Sequence, residues 1–304
     1  MPIGFGTLSP DTFRVQSARN VNPYHRFVGD LSKLVKKAAR APSAQFKTNR
    51  RHTPQASAPK ALIFSPHPDD ECIVGGLPLR LLRQAKWNVL NVAVTLGSDK
   101  QRRTARVREL TNACSHLGFG LIVPRRKGLD HITPSTPRKN PEYWTEAVNV
   151  VRHILQDCQP RAIFLPHELD GHSTHSGTHL LVMDALRTMP SPFQCFVVET
   201  EYWAPMQKPN LLVEVRANDL GDLVTALSCH TGEVKRNPYH LRLPAWMMDN
   251  VRRAEAVAGH GAAAPQFSFA TIYRLHQWKH GRFVNTLRHG KFLSSSENAG
   301  LLFK

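Results

Sequence analysis

Lys60-Ala61-Leu62-Ile63-Phe64-Ser65-Pro66-His67-Pro68-Asp69-Asp70-Glu71 is the stretch on which the reading of this chain turns. Its first half, Ala61 to Ser65, is a short continuous apolar run, the pattern of a strand buried on both faces. Its second half stops that run and places a histidine and two carboxylates, His67, Asp69 and Asp70, within four residues. That donor set suits a hard or borderline divalent ion. Pro66 and Pro68 stiffen the turn and keep a helix from starting before Asp69. In such a turn the adjacent acids can point in different directions, one to a metal and one to a water on it. Side by side they repel unless a cation or a shared proton compensates. Taken alone, the same residues would also serve a plain strand-to-helix turn in which Asp69 or Asp70 caps the next helix.

Outward from this stretch, strand-like and helix-like segments alternate. Ile73 to Trp87 is predicted as a helix, Val89 to Thr95 as a strand, Arg102 to Leu117 as a helix closed by Gly118, and Leu121 to Val123 as a strand. A helix near Tyr143 to Gln156, a strand Ala162 to Leu165, a helix from about Ser176 to Arg187 and a strand Gln194 to Val198 follow. Such alternation implies right-handed crossovers and a mainly parallel sheet flanked by helices, an α/β fold. After Leu211 the pattern is less regular, with a helix expected over Asp219 to Ser228 and a strand over Phe269 to Tyr273.

A second cluster directly follows the strand Ala162 to Leu165. Pro166-His167-Glu168-Leu169-Asp170-Gly171-His172-Ser173-Thr174-His175-Ser176-Gly177-Thr178-His179 holds four histidines and two carboxylates in fourteen residues. With a helix beginning near Thr174, His175 and His179 would share a face at i and i+4. A metalloprotease His-Glu-x-x-His site is not matched, because no Glu follows His175. His175 is therefore the expected ligand, with His179 behind it or exposed. Ligand sites in open α/β sheets gather at the carboxyl ends of strands, and both clusters sit there.

Together the clusters supply His67, Asp70 and His175 as a facial metal site with a position open for water, the layout of catalytic zinc. The ion would lower the water's pKa toward about 7 and polarise a substrate carbonyl. Asp69 is then placed to take the water's proton and pass it to a departing nitrogen. His172 could stabilise the oxyanion or protonate the leaving amine.

Composition bounds the remainder. The chain has 304 residues, 41% of them hydrophobic, enough for one large domain plus an extension. No window approaches a transmembrane span, and the start, Met1-Pro2-Ile3-Gly4-Phe5, lacks a secretory pattern. Five scattered cysteines (Cys72, Cys114, Cys158, Cys195, Cys229) argue against a disulfide framework and a thiolate zinc site, so a cytoplasmic setting is expected.

The formal net charge is +17, and residues 1–60 carry eleven Lys/Arg against only Asp11 and Asp30. A helix is expected over Asp30 to Arg40, capped by Asp30 or Ser32, followed by a Pro/Ser/Ala-rich linker from Ala41 to Pro59. The basic helix of this extension, residues 1–59, is expected to pack on the domain or to be a solvated face; the sharper reading is an anionic-surface anchor or an organelle-targeting segment. No aromatic-interleaved basic stripe accompanies the charge, so nucleic acid is not expected as the primary partner. Residues 60–293 are expected to form the main domain and 294–304 a flexible tail.

The motifs resemble those of the PIG-L/LmbE-like deacetylase family. Pro66-His67-Pro68-Asp69-Asp70-Glu71 resembles its (Ala/Pro)-His-Pro-Asp-Asp-Glu signature. Thr95-Leu96-Gly97-Ser98 resembles its Val-Thr-Asp-Gly turn with the acid absent. Arg106-Val107-Arg108-Glu109-Leu110 before Leu117-Gly118 resembles its Arg-x-x-Glu helix, and Asp170-Gly171-His172-Ser173-Thr174-His175 its Asp-x-His-Pro-Asp-His segment. The resemblance covers roughly residues 58–280. It implies a Rossmann-like fold, Zn2+ (or another divalent ion such as Fe2+) on His67, Asp70 and His175, a general base at Asp69, a transition-state histidine at His172 and a substrate-contacting Arg106. It also implies removal of the N-acetyl group from an N-acetylglucosamine-type conjugate by attack of a zinc-bound water. A zinc amidase acting on a non-sugar amide and a non-catalytic carbohydrate-binding protein are the alternatives.

The chain departs from the pattern at Ser173-Thr174, where the family has Pro-Asp. The nearest remaining acid, Asp170, is expected to take over part of the orientation of His172 and to face the substrate. Glu71 is expected to support the turn rather than to ligate. Tyr202, Trp203 and Pro205 offer aromatic surface near a strand end. Lys235 to His240 and Phe267 to Trp278 could border the cleft, with no chemistry assigned.

Overall fold

The computed structural model describes residues 22–41, 55 and 57–304, and the chain divides into two compact units at Ala41/Pro42. The smaller unit contains helix α1, Pro23–Ala38. Its cap is Asn22, whose side chain accepts the Tyr24 N–H, with Pro23 at the first position. The expected start at Asp30 or Ser32 is thus corrected. Asp30 lies mid-helix, where Lys33 and Arg26 pair with it across one turn. Most of the expected linker lies outside the described residues.

Among the described residues of the larger unit nine strands form one sheet, in the order β3-β2-β1-β4-β5-β7-β6-β9, with β8 paired to β7. The strands are β1 (Lys60–Ser65), β2 (Asn88–Ala93), β3 (Gly120–Ile122), β4 (Ala162–Pro166), β5 (Cys195–Thr200), β6 (Leu211–Glu214), β7 (Ala270–Lys279), β8 (Arg282–Asn285) and β9 (Lys291–Leu293). Strands β3, β2, β1, β4 and β5 run parallel, and β7 enters antiparallel between β5 and β6. The α/β class with a mainly parallel sheet flanked by helices is as expected.

Side chains of β1 alternate between two apolar layers, as the strand period requires. Ala61 and Ile63 join Leu77, Leu79 and Leu81 of α3 (Gly76–Gln84), Leu110 and Leu117 of α4 (Arg103–Leu117) and Leu223 and Leu227 of α8 (Ala217–Ser228). Leu62 and Phe64 face the other way, onto Trp144, Val151 and Leu155 of α6 (Pro141–Cys158) and Leu181 and Leu186 of α7 (Ser173–Arg187). Helices on both faces explain why these strands read as unbroken apolar runs.

Two expectations need correction. The single helix over Ile73 to Trp87 is two, α2 (Asp70–Ile73) and α3, because the Tyr273 hydroxyl reaches into the break. It accepts the Leu77 N–H at 2.9 Å and donates to the Val74 carbonyl at 3.0 Å, replacing the lost helical bonds. Residues 294–304 are not a loose tail. Phe303 is buried against Trp87 and Phe196, while Arg161 holds its carbonyl and Arg80 holds those of Ser294 and Glu297. The tail's apolar content is too sparse to show a period, so its anchoring by distant arginines is invisible in sequence.

The order of strands reverses direction between β1 and β4. From β1 the chain moves outward to β2 and β3, whereas β4 is followed by β5 on the other side. Such a switch point opens a crevice at the carboxyl ends of the two strands.

Candidate active site

Both sequence clusters meet in that crevice. The turn after β1 carries His67, Asp69 and Asp70, and the loop from β4 into α7 carries His172 and His175, all lining a cavity of about 720 Å³. The wall is completed by Arg103 and Arg106 of α4, the loop Leu129–Thr133, Tyr202, Trp203 and Tyr239.

Three donor atoms converge. His67 Nδ1 lies 3.2 Å from His175 Nε2, and Asp70 Oδ2 lies 3.4 Å from each of them. Donors held about 2.0–2.1 Å from one tetrahedral ion lie about 3.3 Å apart, so this spacing fits a shared divalent ion. The surroundings fit it as well. His175, 1% exposed, donates through Nδ1 to Asp170 Oδ2 at 3.2 Å, which leaves the Nε2 lone pair aimed at the other two donors. Asp70 accepts the His67 N–H at 2.8 Å. Burial works against its charge, but His175 and His67 outweigh it and hold its carboxyl below the usual range.

Asp69 stands beside this triad with a different environment. Burial, and then the Asp70 carboxylate, push it up to about 6 against the pull of His230, the Tyr239 hydroxyl and Arg106. Two neighbouring acids of one turn are thereby driven apart in acidity, one kept anionic and one brought near neutrality.

His172 occupies the N-cap of α7, and its Nδ1 accepts the Thr174 N–H at 3.2 Å. The neutral ring therefore carries its proton on Nε2. Burial, with His67 and His175 nearby, keeps its pKa below the usual value. The expected role of Asp170 is corrected: its carboxylate accepts from His175 Nδ1 and, at 2.7 Å, from the Trp203 N–H, and it is fully buried rather than facing the cavity. Thr174 thus meets His172 through its backbone and not through an acid.

Arg106 donates from Nη2 to the Pro68 carbonyl at 3.0 Å and so braces the turn that bears Asp69. Its guanidinium lies against Gly97, whose φ is +83°, and a Cβ there would fall 2.1 Å from Nη1. The positive φ favours glycine, and any side chain there would also push the end of Arg106 aside. The other two histidines of the second cluster leave the cavity. His167 donates to the Ala204 carbonyl at 2.9 Å, and His179 donates to the Pro166 carbonyl at 2.9 Å.

Three contributors were not assigned chemistry from sequence. Tyr239 donates its hydroxyl to Asp69 Oδ2 at 2.5 Å, His230 lies 2.8 Å from Glu71 Oε1, and Tyr202 packs edge-on against His175 with ring centroids 4.8 Å apart. Tyr239 falls in the stretch expected only to border the cleft. Its tyrosine beside a basic run carries no spacing signal that would have marked it. Trp203 is 70% exposed and stacks on His172, with ring centroids 5.8 Å apart and an interplanar angle of 26°.

Comparison with known proteins agrees with the motif reading. Residues 62–186 match the PIG-L family model, described as GlcNAc-PI de-N-acetylase. No curated protein matches the chain in sequence. Among solved structures, N,N'-diacetylchitobiose deacetylase from Pyrococcus horikoshii is similar at 16% identity and TM-score 0.53, covering 84% of this chain and 93% of that one. The zinc-inhibited form of teicoplanin deacetylase Orf2 is similar at 15% identity and TM-score 0.53, covering 72% and 98%. GalB, the 4-carboxy-2-hydroxymuconate hydratase from Pseudomonas putida KT2440, is similar at 13% identity and TM-score 0.56, covering 75% and 99%. These likenesses show the fold, which is shared by deacetylases and a hydratase alike, so the fold alone does not choose the reaction. Among the described residues no helix is long and apolar enough to cross a membrane.

Proposed function

We propose that this chain, whose residues 62–186 match the PIG-L family model, is a metal-dependent N-deacetylase acting on an N-acetylglucosamine-type conjugate. The observation that carries the reading is the convergence of His67 Nδ1, Asp70 Oδ2 and His175 Nε2 at 3.2–3.4 Å, with Asp69 beside them in the cavity. These three residues would hold the ion, and two imidazoles with one carboxylate suit zinc. When bound, such an ion polarises the substrate carbonyl and makes a water acidic enough to react near neutral pH.

The chain's own groups supply the proton movements. Asp69 takes the proton from the attacking water and passes it to the nitrogen as the C–N bond breaks, and its carboxyl, raised to about 6, suits that transfer. His172 donates from Nε2 to the oxygen that becomes negative as the carbonyl is attacked, acting as a neutral hydrogen-bond donor. Arg106 and the Pro68 carbonyl keep the turn in place. Trp203 supports a sugar as substrate, because its exposed face stacks readily on the apolar face of a pyranose ring at the cavity mouth.

The test joins metal analysis to an activity screen. Purified protein is assayed with N-acetylglucosamine conjugates and with simple non-sugar amides, with and without chelator. Acetate release that is lost on chelation and restored by zinc is expected. Activity confined to non-sugar amides would replace the sugar substrate, and protein that binds no divalent ion would overturn the reading.

A further inference from the structure

Asp69 is the most strained residue of the site. Its backbone lies at φ 121°, ψ −27°, outside the regions that a residue with a Cβ adopts readily and outside the left-handed helical region as well. Such a conformation persists only where the surroundings over-determine it.

Three contacts do so: two are local, and the third comes from a segment far along the chain that also braces one of the local two. The Asp69 N–H is accepted by Glu71 Oε2 at 2.9 Å. Glu71 is fully buried, and its other oxygen meets His230 Nε2 at 2.8 Å and the Cys72 thiol at 3.2 Å. His230 is itself fully buried, at the junction between α8 and α9 (Thr231–Arg236). A few residues on, Tyr239 donates to Asp69 Oδ2 at 2.5 Å. Locally, the Asp69 carbonyl accepts the Cys72 N–H at 3.0 Å, the first turn of α2.

We infer that residues 230–239 form a clamp that holds Asp69 in its strained conformation, with His230 acting through Glu71 on the backbone and Tyr239 acting on the carboxylate. The inference rests on the reading of Asp69 as the proton acceptor and deepens it. Tyr239 occupies Oδ2, so Oδ1 is left to receive the reacting proton. Burial and the nearby Asp69 charge push the Tyr239 hydroxyl far up, which keeps it a donor. A buried Glu–His pair is a costly way to fix one amide, and its placement makes sense if that amide belongs to a residue whose orientation decides the rate. His230, Glu71 and Tyr239 are positioning residues in this account.

The test separates positioning from mere folding. Tyr239→Phe keeps the ring and removes the hydroxyl. It is expected to lower kcat by about 10- to 100-fold, as misplacement of a reacting group does. KM should stay within about twofold and metal content should be unchanged. His230→Leu should lower kcat more than His230→Gln, whose amide can still donate to Glu71. Should the His230 variants fail to fold, Tyr239→Phe alone decides. A kcat within about twofold of the parent, or a rise in KM alone, would overturn the clamp.

A second arm needs no activity. Thermal midpoints are compared for Tyr239→Phe in the parent and in Asp69→Ala, and for Asp69→Gly against Asp69→Ala. Coupling between positions 69 and 239, together with a higher midpoint for Asp69→Gly, is expected. Strict additivity with no advantage for glycine would sink the proposal. Because this arm reads only stability, it reports on the clamp even if the parent proves inactive toward acetylated sugars.

Discussion

The turn after β1 and the segment from His230 to Tyr239 serve the same carboxylate in opposite ways. The turn packs its chemistry into six consecutive residues, and the strand before it fixes where they emerge. The segment has no motif and lies more than 150 residues away, yet Tyr239 bonds to Asp69 directly and His230 steadies the Glu71 that accepts its N–H, at a backbone angle unfavourable to Asp69. Reactive groups can come from short local patterns, because a strand end and two prolines suffice to present them. Their orientation to within a fraction of an ångström needs partners that only packing can bring.

The largest effect should come from the turn itself. Asp69→Asn removes the proton acceptor while keeping most of its shape, and kcat should fall by about 10²- to 10⁴-fold, measured as acetate release. A variant retaining more than a tenth of the parent's rate would move the base elsewhere. His172→Ala should follow, with a loss of about 10²-fold in kcat, because a donor aimed at the developing oxyanion acts mainly in the transition state. If KM rose instead and kcat held, His172 would be a binding residue.

A smaller effect sharpens the contrast between residues that react and residues that orient. Asp170→Asn should weaken divalent-ion affinity by about 10- to 100-fold, read by chelator competition, since its carboxylate orients His175. An unchanged affinity would mean that the His175–Asp170 contact does not tune the ligand. The smallest change is expected at the mouth. Trp203→Ala should raise KM for a sugar conjugate several-fold, about 1 kcal/mol of stacking, with kcat little altered. Equal effects on sugar and non-sugar amides would remove Trp203 as a sugar platform.

Much of the site was legible because its signals are local. His67, Asp70 and His175 are brought together in the structure, and each was visible as a metal-type residue at the end of an apolar run. Arg106 was marked by its distance from Leu117-Gly118, although the structure adds that it braces the Pro68 carbonyl. Asp170 shows the limit of such reading. Its closeness in sequence to His172 suggested a contact, but the N-cap geometry of α7 turns His172 toward the Thr174 N–H and leaves Asp170 to His175 and Trp203. Distance along a loop does not tell which of two neighbours a side chain meets.

Local pattern in the chain is enough to show the alternation of buried strands and helices, the places where the chain leaves the sheet, and the donor types gathered there. Periodicity and proline act over a few residues, so they can be read a few residues at a time. Folding in three dimensions is what makes β1 and β4 neighbours at the switch point, anchors the last residues through Arg80 and Arg161, and brings Tyr239 to Asp69 and His230 to Glu71. Those contacts join residues more than a hundred positions apart, by strand pairing in one case and by a few hydrogen bonds in the others. The pairings exist only once the apolar layers have packed.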